Sequence, residues 1–131
     1  MKKIPSRKTG IARIIAAFFY SLNGLRVAVF NEAAFRQEAV GIVILCCVLG
    51  FLPISLVWKV VLFLSTASVL VVELLNSAIE AVVDLVSPEF HELAEQAKDM
   101  GSAAVLMSIV ISAILWICAI TDMITGGLKH G

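Results

Sequence analysis

Two uncharged runs constrain this chain more than any other feature of its sequence. Residues 39–58 form a run of 20 amino acids without a charged side chain, and residues 100–121 form another of 22. An α-helix rises about 1.5 Å per residue, so about 20 residues span the roughly 30 Å hydrocarbon core of a bilayer. The chain is therefore predicted to be an integral membrane protein.

The amino-acid composition supports the same class. Hydrophobic residues make up 60% of the 131 residues and charged residues 15%, whereas soluble domains are about 45–50% apolar and about 25% charged. A water-soluble monomer of this size cannot bury so large an apolar fraction. The same figures exclude a disordered chain and a disulfide scaffold. Cys46, Cys47 and Cys118 lie within apolar runs, and we interpret them as packing residues.

Periodicity and turn signals predict four helices in one all-α domain, residues 1–131. Apolar residues recur on one face of residues 10–30, which indicates an amphipathic helix at the membrane surface. Packing of this helix on a soluble partner is the alternative. The segment Gly50-Phe51-Leu52-Pro53 signals a turn within the apolar sequence that follows. We therefore predict three membrane spans, at residues 32–51, 54–86 and 99–121.

Basic residues are concentrated near the start of the chain. The first 38 residues contain seven lysines and arginines. Such residues mark the cytoplasmic side of membrane proteins. The N-terminus and residues 87–98 are therefore predicted to be cytoplasmic, and the C-terminus to lie outside. A basic segment also suits nucleic-acid binding, but beside apolar spans we favour the membrane interpretation and expect no nucleic-acid partner.

The second predicted span carries an unusual polar stripe. One face of this helix holds five polar residues within about three turns: Glu73, Asn76, Ser77, Glu80 and Asp84. Carboxylates are costly within a membrane and normally face a protein interior or a wet cavity. A hydrogen-bond seam between helices would explain one asparagine or serine, but not three carboxylates. We therefore predict an acidic site that holds a divalent cation, or combines a metal ligand with a proton acceptor.

Three further carboxylates could belong to the site or have no role in it, and a row of small residues indicates helix packing. Glu32 and Glu38 lie where the first span begins, and Asp99 begins the third. A solvated interfacial position suits both glutamates, and a helix-dipole interaction suits the aspartate. A row of small residues on the third span is typical of close helix packing: Gly101, Ala104, Ser108 and Ser112. Because the sequence lacks a Walker A loop and a dinucleotide-binding turn, the residue patterns leave an enzyme and an ion-coupled transporter equally open.

Three segments of the sequence carry patterns shared with a known family. They are residues 31–38, residues 73–84 with the pattern Glu-x-x-Asn-Ser-x-x-Glu-x-x-x-Asp, and residues 91–102. In these segments, and over about residues 10–120, the chain resembles the prokaryotic integral-membrane diacylglycerol kinases. The resemblance implies a homotrimer of three-span subunits, each with a surface helix. It also implies phosphorylation of diacylglycerol from MgATP by a fold that has no Walker loop.

The resemblance implies roles for individual residues. Glu73 corresponds to the general base that faces the lipid hydroxyl, and Glu32 and Glu80 to the carboxylates that hold Mg²⁺ on the ATP phosphates. The implied ATP contacts are Arg13, Tyr20, Glu32, Glu80, Glu89, Phe90, His91, Lys98 and Asp99. The implied contacts with the lipid substrate are Arg13, Glu73, Asn76 and Ser102. The family pattern has a lysine where this chain has Ala16, so Arg13 would act without that lysine.

The leading hypothesis is a lipid kinase of the bacterial inner membrane with a cytoplasmic active site. It would convert 1,2-diacylglycerol and ATP to phosphatidic acid and ADP, with Mg²⁺ as cofactor and the bilayer and further copies of itself as partners. An undecaprenol kinase is the near alternative. A small ion-coupled transporter or a non-catalytic membrane assembly subunit is the alternative from another class.

Overall fold

The computed structural model describes residues 9–128, and this part of the chain forms four α-helices. They are α1 (Ile11–Asn31), α2 (Ala33–Phe51), α3 (Leu56–Val86) and α4 (Glu92–Leu128). All four are long and apolar enough to cross a membrane, judged by length and composition. The predicted all-α fold with membrane-length helices is therefore confirmed. The surface position of α1 and the trimer stay predictions.

The helix boundaries agree with the predicted segments except in α4. The first three helices begin and end within about two residues of the predicted ranges, whereas α4 begins at Glu92 and continues to Leu128. The predicted span, residues 99–121, is thus the central part of a longer helix. Glu92 and Glu95 lie in the first turn, where carboxylates interact favourably with the helix dipole. The helix can therefore begin in a polar segment before the apolar run.

Glu32 lies at the corner between α1 and α2, as the single residue that separates the two helices. Its backbone is extended (φ −99°, ψ 112°), which separates the two helices. Arg36, in the first turn of α2, donates from Nη1 to the carbonyl oxygens of Val29 (3.2 Å) and Phe30 (3.1 Å). These carbonyls belong to the last turn of α1, where no helical N–H can reach them. The corner is therefore held by side-chain hydrogen bonds, and it fixes the backbone position of Glu32.

The turn between α2 and α3 lies where the sequence predicts it. Helix α2 ends at Phe51, and Ser55 caps α3 by accepting a hydrogen bond from the backbone N–H of Trp58 (3.3 Å). Lys59 reaches back and donates from Nζ to the carbonyl oxygen of Gly50 (3.3 Å). Both contacts satisfy backbone or side-chain groups at helix ends, so the turn is well defined by local chemistry.

Helices α3 and α4 form an antiparallel pair, the most extensive helix contact in the described part of the chain. Side-chain hydrogen bonds join them at three levels: Lys98 to Asp84 (2.9 Å), Trp116 to Thr66 (3.0 Å) and Trp58 to Asp122 (3.0 Å). The hydroxyl oxygens of Thr66 and Ser112 are also 3.4 Å apart. The pair is therefore held in one register along its whole length, and it provides the frame on which the acidic stripe lies.

The row of small residues on α4 is only partly where the sequence predicts it. Gly101 and Ser112 are buried against the chain and Ser108 is half-buried, but Ala104 is exposed. The buried seam includes Val105 instead. Contacts between long antiparallel helices recur at alternating steps of four and three residues. The predicted row from Ala104 to Ser112 has constant steps of four, so it does not follow the buried seam over its whole length. Ala104 therefore faces outward.

Large apolar side chains remain exposed on the outside of the single chain. On α1 the only buried residues are Ala16 and Ala28, while Ile11, Ile14 and Phe18 are all at least 60% exposed. These three belong to the predicted amphipathic face. The first half of this face is therefore left uncovered by the other helices of the same chain, as a lipid-facing or subunit-facing surface requires.

Candidate active site

The polar stripe of α3 runs from the interior of the helix bundle towards its polar end. Glu73 is 5% exposed and Asn76 is 8% exposed. Ser77 and Glu80 are half-buried, and the side chain of Asp84 is 66% exposed. Two of the five polar side chains are thus enclosed by protein although the structure contains a single chain. Buried polar groups in a membrane protein normally have hydrogen-bond or charge partners, or belong to a functional site.

Three carboxylates gather around this stripe. Glu32 at the α1–α2 corner and Glu80 on α3 both lie within electrostatic reach of Glu73. Glu80 is about two helical turns from Glu73, about 10 Å at 1.5 Å per residue. Like charges repel strongly in a medium of low dielectric constant, so this arrangement favours a bound cation or a proton. The predicted base and the two predicted metal carboxylates therefore lie in one acidic region, with Glu73 and Glu80 about 10 Å apart along α3.

Glu38 is a fourth carboxylate that the sequence did not assign to the site. It is half-buried on α2, lies within electrostatic reach of Glu73, and has a buried Oε2 atom with no hydrogen-bond partner among residues 9–128. A solvated interfacial position was an equally good interpretation. The signal in the sequence is its place directly before the 39–58 uncharged run, at the edge of a predicted span.

Asn76 links the stripe to α4. Its Nδ2 atom donates to Oε1 of Glu80 (3.0 Å), one turn further along α3. Its Oδ1 atom is buried, has no hydrogen-bond partner in the described residues, and lies against Gly101. A carboxylate that accepts a hydrogen bond from a buried amide has a restricted orientation. Asn76 therefore holds the Glu80 carboxylate, one of the two predicted metal ligands.

Five of the nine predicted nucleotide contacts lie in a second region, around the connection between α3 and α4. A polar cavity of about 390 Å³ is lined by Asp84, Glu89, Phe90, His91, Lys98 and Asp99, among others. His91 accepts at Nδ1 from the backbone N–H of Leu93 (3.2 Å) at the start of α4. The hydrogen bond from Lys98 to Asp84 raises the pKa of the Lys98 amine above its ordinary value. Lys98 therefore places a positive charge at this cavity, paired with Asp84.

Three predicted site residues stand apart from both regions in the single chain. Arg13 and Tyr20 are exposed on α1, and Ser102 is exposed on α4 next to Gly101. Within residues 9–128, no side-chain hydrogen bond joins them to the acidic residues. Helices α1 and α3 do enclose a cavity of about 560 Å³ that is lined by Glu32 and Ser77. One subunit thus gathers the acidic residues and the α3–α4 connection, but not the predicted α1 contacts.

The donor set fits a metal ion that arrives with a nucleotide. Among residues 9–128, no group of three His, Cys, Asp or Glu side chains could hold a metal ion by itself. Mg²⁺ is usually bound through one or two carboxylates together with water and substrate phosphates. Glu32 and Glu80 supply hard oxygen ligands of that kind. The residues present therefore fit a nucleotide-bound Mg²⁺ and not a closed protein cage.

The fold and these residues define the class of the protein: an all-helical membrane protein with an acidic site built on its apolar helices. Comparison with known proteins narrows this class. Residues 19–120 match the sequence profile of a family described as "Prokaryotic diacylglycerol kinase". This match covers more than half of the chain.

Relatives of the same description are similar over most of their length. The chain is 51% identical to the diacylglycerol kinase of Escherichia coli strain K12 over 108 residues, which cover 82% of this chain and 88% of that protein. It is 44% identical to the Pseudomonas aeruginosa diacylglycerol kinase over 109 residues, 83% of this chain and 89% of that protein. The Haemophilus influenzae diacylglycerol kinase is 41% identical over 110 residues, 84% of this chain and 93% of that protein.

This chain belongs to the prokaryotic diacylglycerol kinase family. The predicted family and the predicted enzyme class, an ATP-dependent diacylglycerol kinase, are confirmed. The family and the apolar helices together also indicate a multi-pass membrane protein. The match favours the kinase hypothesis over the transporter and the assembly subunit.

Proposed function

We propose that this protein transfers the γ-phosphoryl group of ATP to the free hydroxyl of 1,2-diacylglycerol, giving phosphatidic acid and ADP. The family match over residues 19–120 is the observation that carries the proposal. The burial of Glu73 among apolar helices supports it, because a base that acts on a lipid must meet a hydroxyl whose acyl chains stay in the bilayer.

Glu73 acts as the general base. Its carboxylate takes the proton from the lipid hydroxyl, and the hydroxyl oxygen forms a bond to the γ-phosphorus of ATP. The bond from that phosphorus to the bridging oxygen breaks, and ADP leaves with the electron pair. Two turns separate Glu73 from Glu80, about 10 Å. This spacing supports a division of labour, with Glu73 beside the lipid and Glu80 beside the nucleotide.

Glu32 and Glu80 hold the metal ion. When bound, Mg²⁺ neutralises charge on the phosphates, which is the main requirement of phosphoryl transfer. Asn76 keeps the Glu80 carboxylate oriented through its 3.0 Å hydrogen bond. The residues of the α3–α4 connection, together with Arg13 and Tyr20 of α1, contact the nucleotide. Ser102, Asn76 and Arg13 contact the lipid.

The protein acts as a homotrimer in the bacterial inner membrane, with its N-terminus and active site on the cytoplasmic side. The exposed Arg13 and Tyr20 support a shared site, because a neighbouring subunit can place these two residues beside an acidic stripe to which, among residues 9–128, they make no side-chain hydrogen bond in their own chain. The exposed apolar face of α1 supports a position at the membrane surface. The basic N-terminus supports the orientation.

The acceptor is diacylglycerol and not a polyprenol. Diacylglycerol has ester carbonyls that donors such as Arg13 and Ser102 can hold, whereas a polyprenol has none. The test uses radiolabelled ATP with dioleoylglycerol or undecaprenol in the same mixed micelles, followed by identification of the labelled lipid. We expect a higher kcat/KM for dioleoylglycerol and labelled phosphatidic acid as product. A higher kcat/KM for undecaprenol would overturn the acceptor, and transfer of label to neither lipid would overturn the proposed activity.

A further inference from the structure

We propose that Gly101 is a positioning residue for the reaction: its missing side chain sets the orientation of Asn76, and through Asn76 that of the Glu80 carboxylate. The inference rests on the proposed function to the extent that Glu80 holds the metal ion. Gly101 itself contacts neither metal nor substrate in this account. Its effect passes through one close contact and one hydrogen bond.

The close contact is specific to Gly101. A Cβ atom built on this glycine would lie 3.3 Å from Cγ of Asn76 and would overlap its Oδ1 atom. Gly24, Gly41, Gly50 and Gly126 are also helical, and a Cβ on any of them would meet nothing within 4 Å. Among the glycines whose surroundings the structure describes, Gly101 is thus the one whose side chain would collide with a residue of the acidic stripe.

The Asn76 side chain has little freedom to avoid such a collision. It is buried between the α4 backbone at Gly101 and the Glu80 side chain, to which its Nδ2 donates at 3.0 Å. Its Oδ1 atom has no hydrogen-bond partner among residues 9–128 that would hold the carboxamide in a second position. A methyl group at position 101 would therefore displace the carboxamide and lengthen or bend the bond to Glu80. Hydrogen bonds weaken steeply when their geometry is distorted.

Loss of this bond frees the Glu80 carboxylate to rotate. Mg²⁺ requires near-ideal octahedral geometry, and its carboxylate ligands must be held accordingly. Loss of a group that orients a metal ligand typically lowers metal affinity about 10–100-fold. Gly101 is thus expected to affect metal affinity more than the folding of the α3–α4 pair, because Asn76 donates a hydrogen bond to Glu80 and, among residues 9–128, makes no such bond to α4.

The test compares Gly101→Ala with Gly41→Ala, a matched control at a helical glycine with open space. The dissociation constant for Mn²⁺ is measured by electron paramagnetic resonance in the presence of a non-hydrolysable ATP analogue. We expect Gly101→Ala to raise this constant about 10–100-fold and Gly41→Ala to change it by less than about twofold. The Mg²⁺ concentration that gives half-maximal kinase activity shifts in the same direction. An unchanged Mn²⁺ constant in Gly101→Ala would overturn the role of Gly101.

A second pair of variants separates positioning through Asn76 from simple helix packing. In Asn76→Ala the carboxamide is absent, so a further Gly101→Ala change should leave the Mn²⁺ constant of Asn76→Ala unaltered. If Gly101→Ala alone does not fold, the comparison of the double variant with Asn76→Ala still tests the inference, because the new methyl group no longer meets the Asn76 carboxamide. A double variant that binds Mn²⁺ more weakly than Asn76→Ala would overturn the inference. Absence of Mn²⁺ binding in the unaltered protein would instead contradict the metal role of Glu80, and this inference with it.

Discussion

Thr66 is the centre of the hydrogen bonds that hold α3 against α4, and replacing it by valine tests how that frame is stabilised. Thr66 is 4% exposed; its Oγ1 accepts from Nε1 of Trp116 (3.0 Å) and lies 3.4 Å from Oγ of Ser112. Valine keeps the shape but removes the hydroxyl, which leaves the Trp116 N–H without this acceptor. Ser65 is the matched control, because its hydroxyl is only half-buried and lies 3.5 Å from Ser112.

The expected loss follows from the number of bonds between helices that Thr66 makes. Such bonds in membrane proteins contribute about 0.6 kcal/mol on average and about 1.7 kcal/mol at most. Because Thr66 makes two such hydrogen bonds, to Trp116 and Ser112, we expect Thr66→Val to lower the free energy of unfolding by about 1–2 kcal/mol. This is a factor of about 5–30 in the unfolding constant. Ser65→Ala should cost less than about 0.6 kcal/mol.

The assay is equilibrium unfolding in mixed micelles of a mild detergent and dodecyl sulfate, followed by circular dichroism. A double-variant cycle with Trp116→Phe isolates the bond itself, and we expect a coupling energy of about 0.6–1.7 kcal/mol. A cost for Thr66→Val no larger than that for Ser65→Ala, with no coupling to Trp116, would refute the importance of this bond to the α3–α4 frame.

Three further predictions concern the metal ligand, the nucleotide region and the helix contact. Glu80→Gln should raise the Mg²⁺ concentration needed for half-maximal activity, because the amide lacks the charge that a hard cation requires; an unchanged Mg²⁺ dependence would contradict the metal role. Asp84→Asn should leave the stability of the fold nearly unchanged, because its ion pair with Lys98 is exposed, while the KM for ATP rises because Asp84 and Lys98 line the same polar cavity; a large loss of stability with normal KM would contradict this. Ser108→Leu should destabilise the protein by about 1–3 kcal/mol, because Ser108 is half-buried, and the exposed Ala104→Leu should not; equal effects would place Ser108 outside the contact.

Much of the helix architecture could be predicted because the sequence states it directly. The uncharged run of residues 100–121 lies within α4, and the signal at Gly50 to Pro53 marks the turn that divides the run of residues 39–58 between α2 and α3. The polar stripe is visible because charged residues contrast with the valine, leucine and alanine around them. The structure places the stripe residues on one helix, with Glu73 and Asn76 buried. The sequence pattern is informative wherever a few polar residues stand in an apolar surrounding.

Contacts between apolar helices could not be predicted in the same way. In a membrane, residues that face lipid and residues that face another helix are both apolar, so periodicity does not tell which side meets a neighbour. Ala104 was therefore grouped with Ser108 although it faces outward, and Val105, which is buried, was not singled out. The contact of Gly101 with Asn76 needs the register of α3 against α4, which the hydrogen bonds of Thr66 and Asp84 set through residues far away in sequence.

Glu38 shows the same limit for a charged residue. A carboxylate at the start of a span fits a solvated interface and a buried site equally well, and only the neighbouring helix decides between them. The residues on α1 are a different case, because we propose that their contacts are made with a neighbouring subunit. No property of Arg13 or Tyr20 in one chain specifies which copy of the acidic stripe they meet.

The central claim is that Glu73 is the base that takes the proton from the lipid hydroxyl, and Glu73→Gln tests it most directly. Glutamine keeps the shape of the side chain but cannot accept that proton. The measurement is kcat and the KM for ATP with dioleoylglycerol in mixed micelles, on protein with unchanged circular dichroism and sedimenting mass, beside the exposed control Glu92→Gln. We predict that Glu73→Gln lowers kcat about 10²–10⁴-fold with little change in the KM for ATP, and that Glu92→Gln leaves both near their original values. A near-normal kcat in folded Glu73→Gln protein would contradict the assignment of Glu73 as the base.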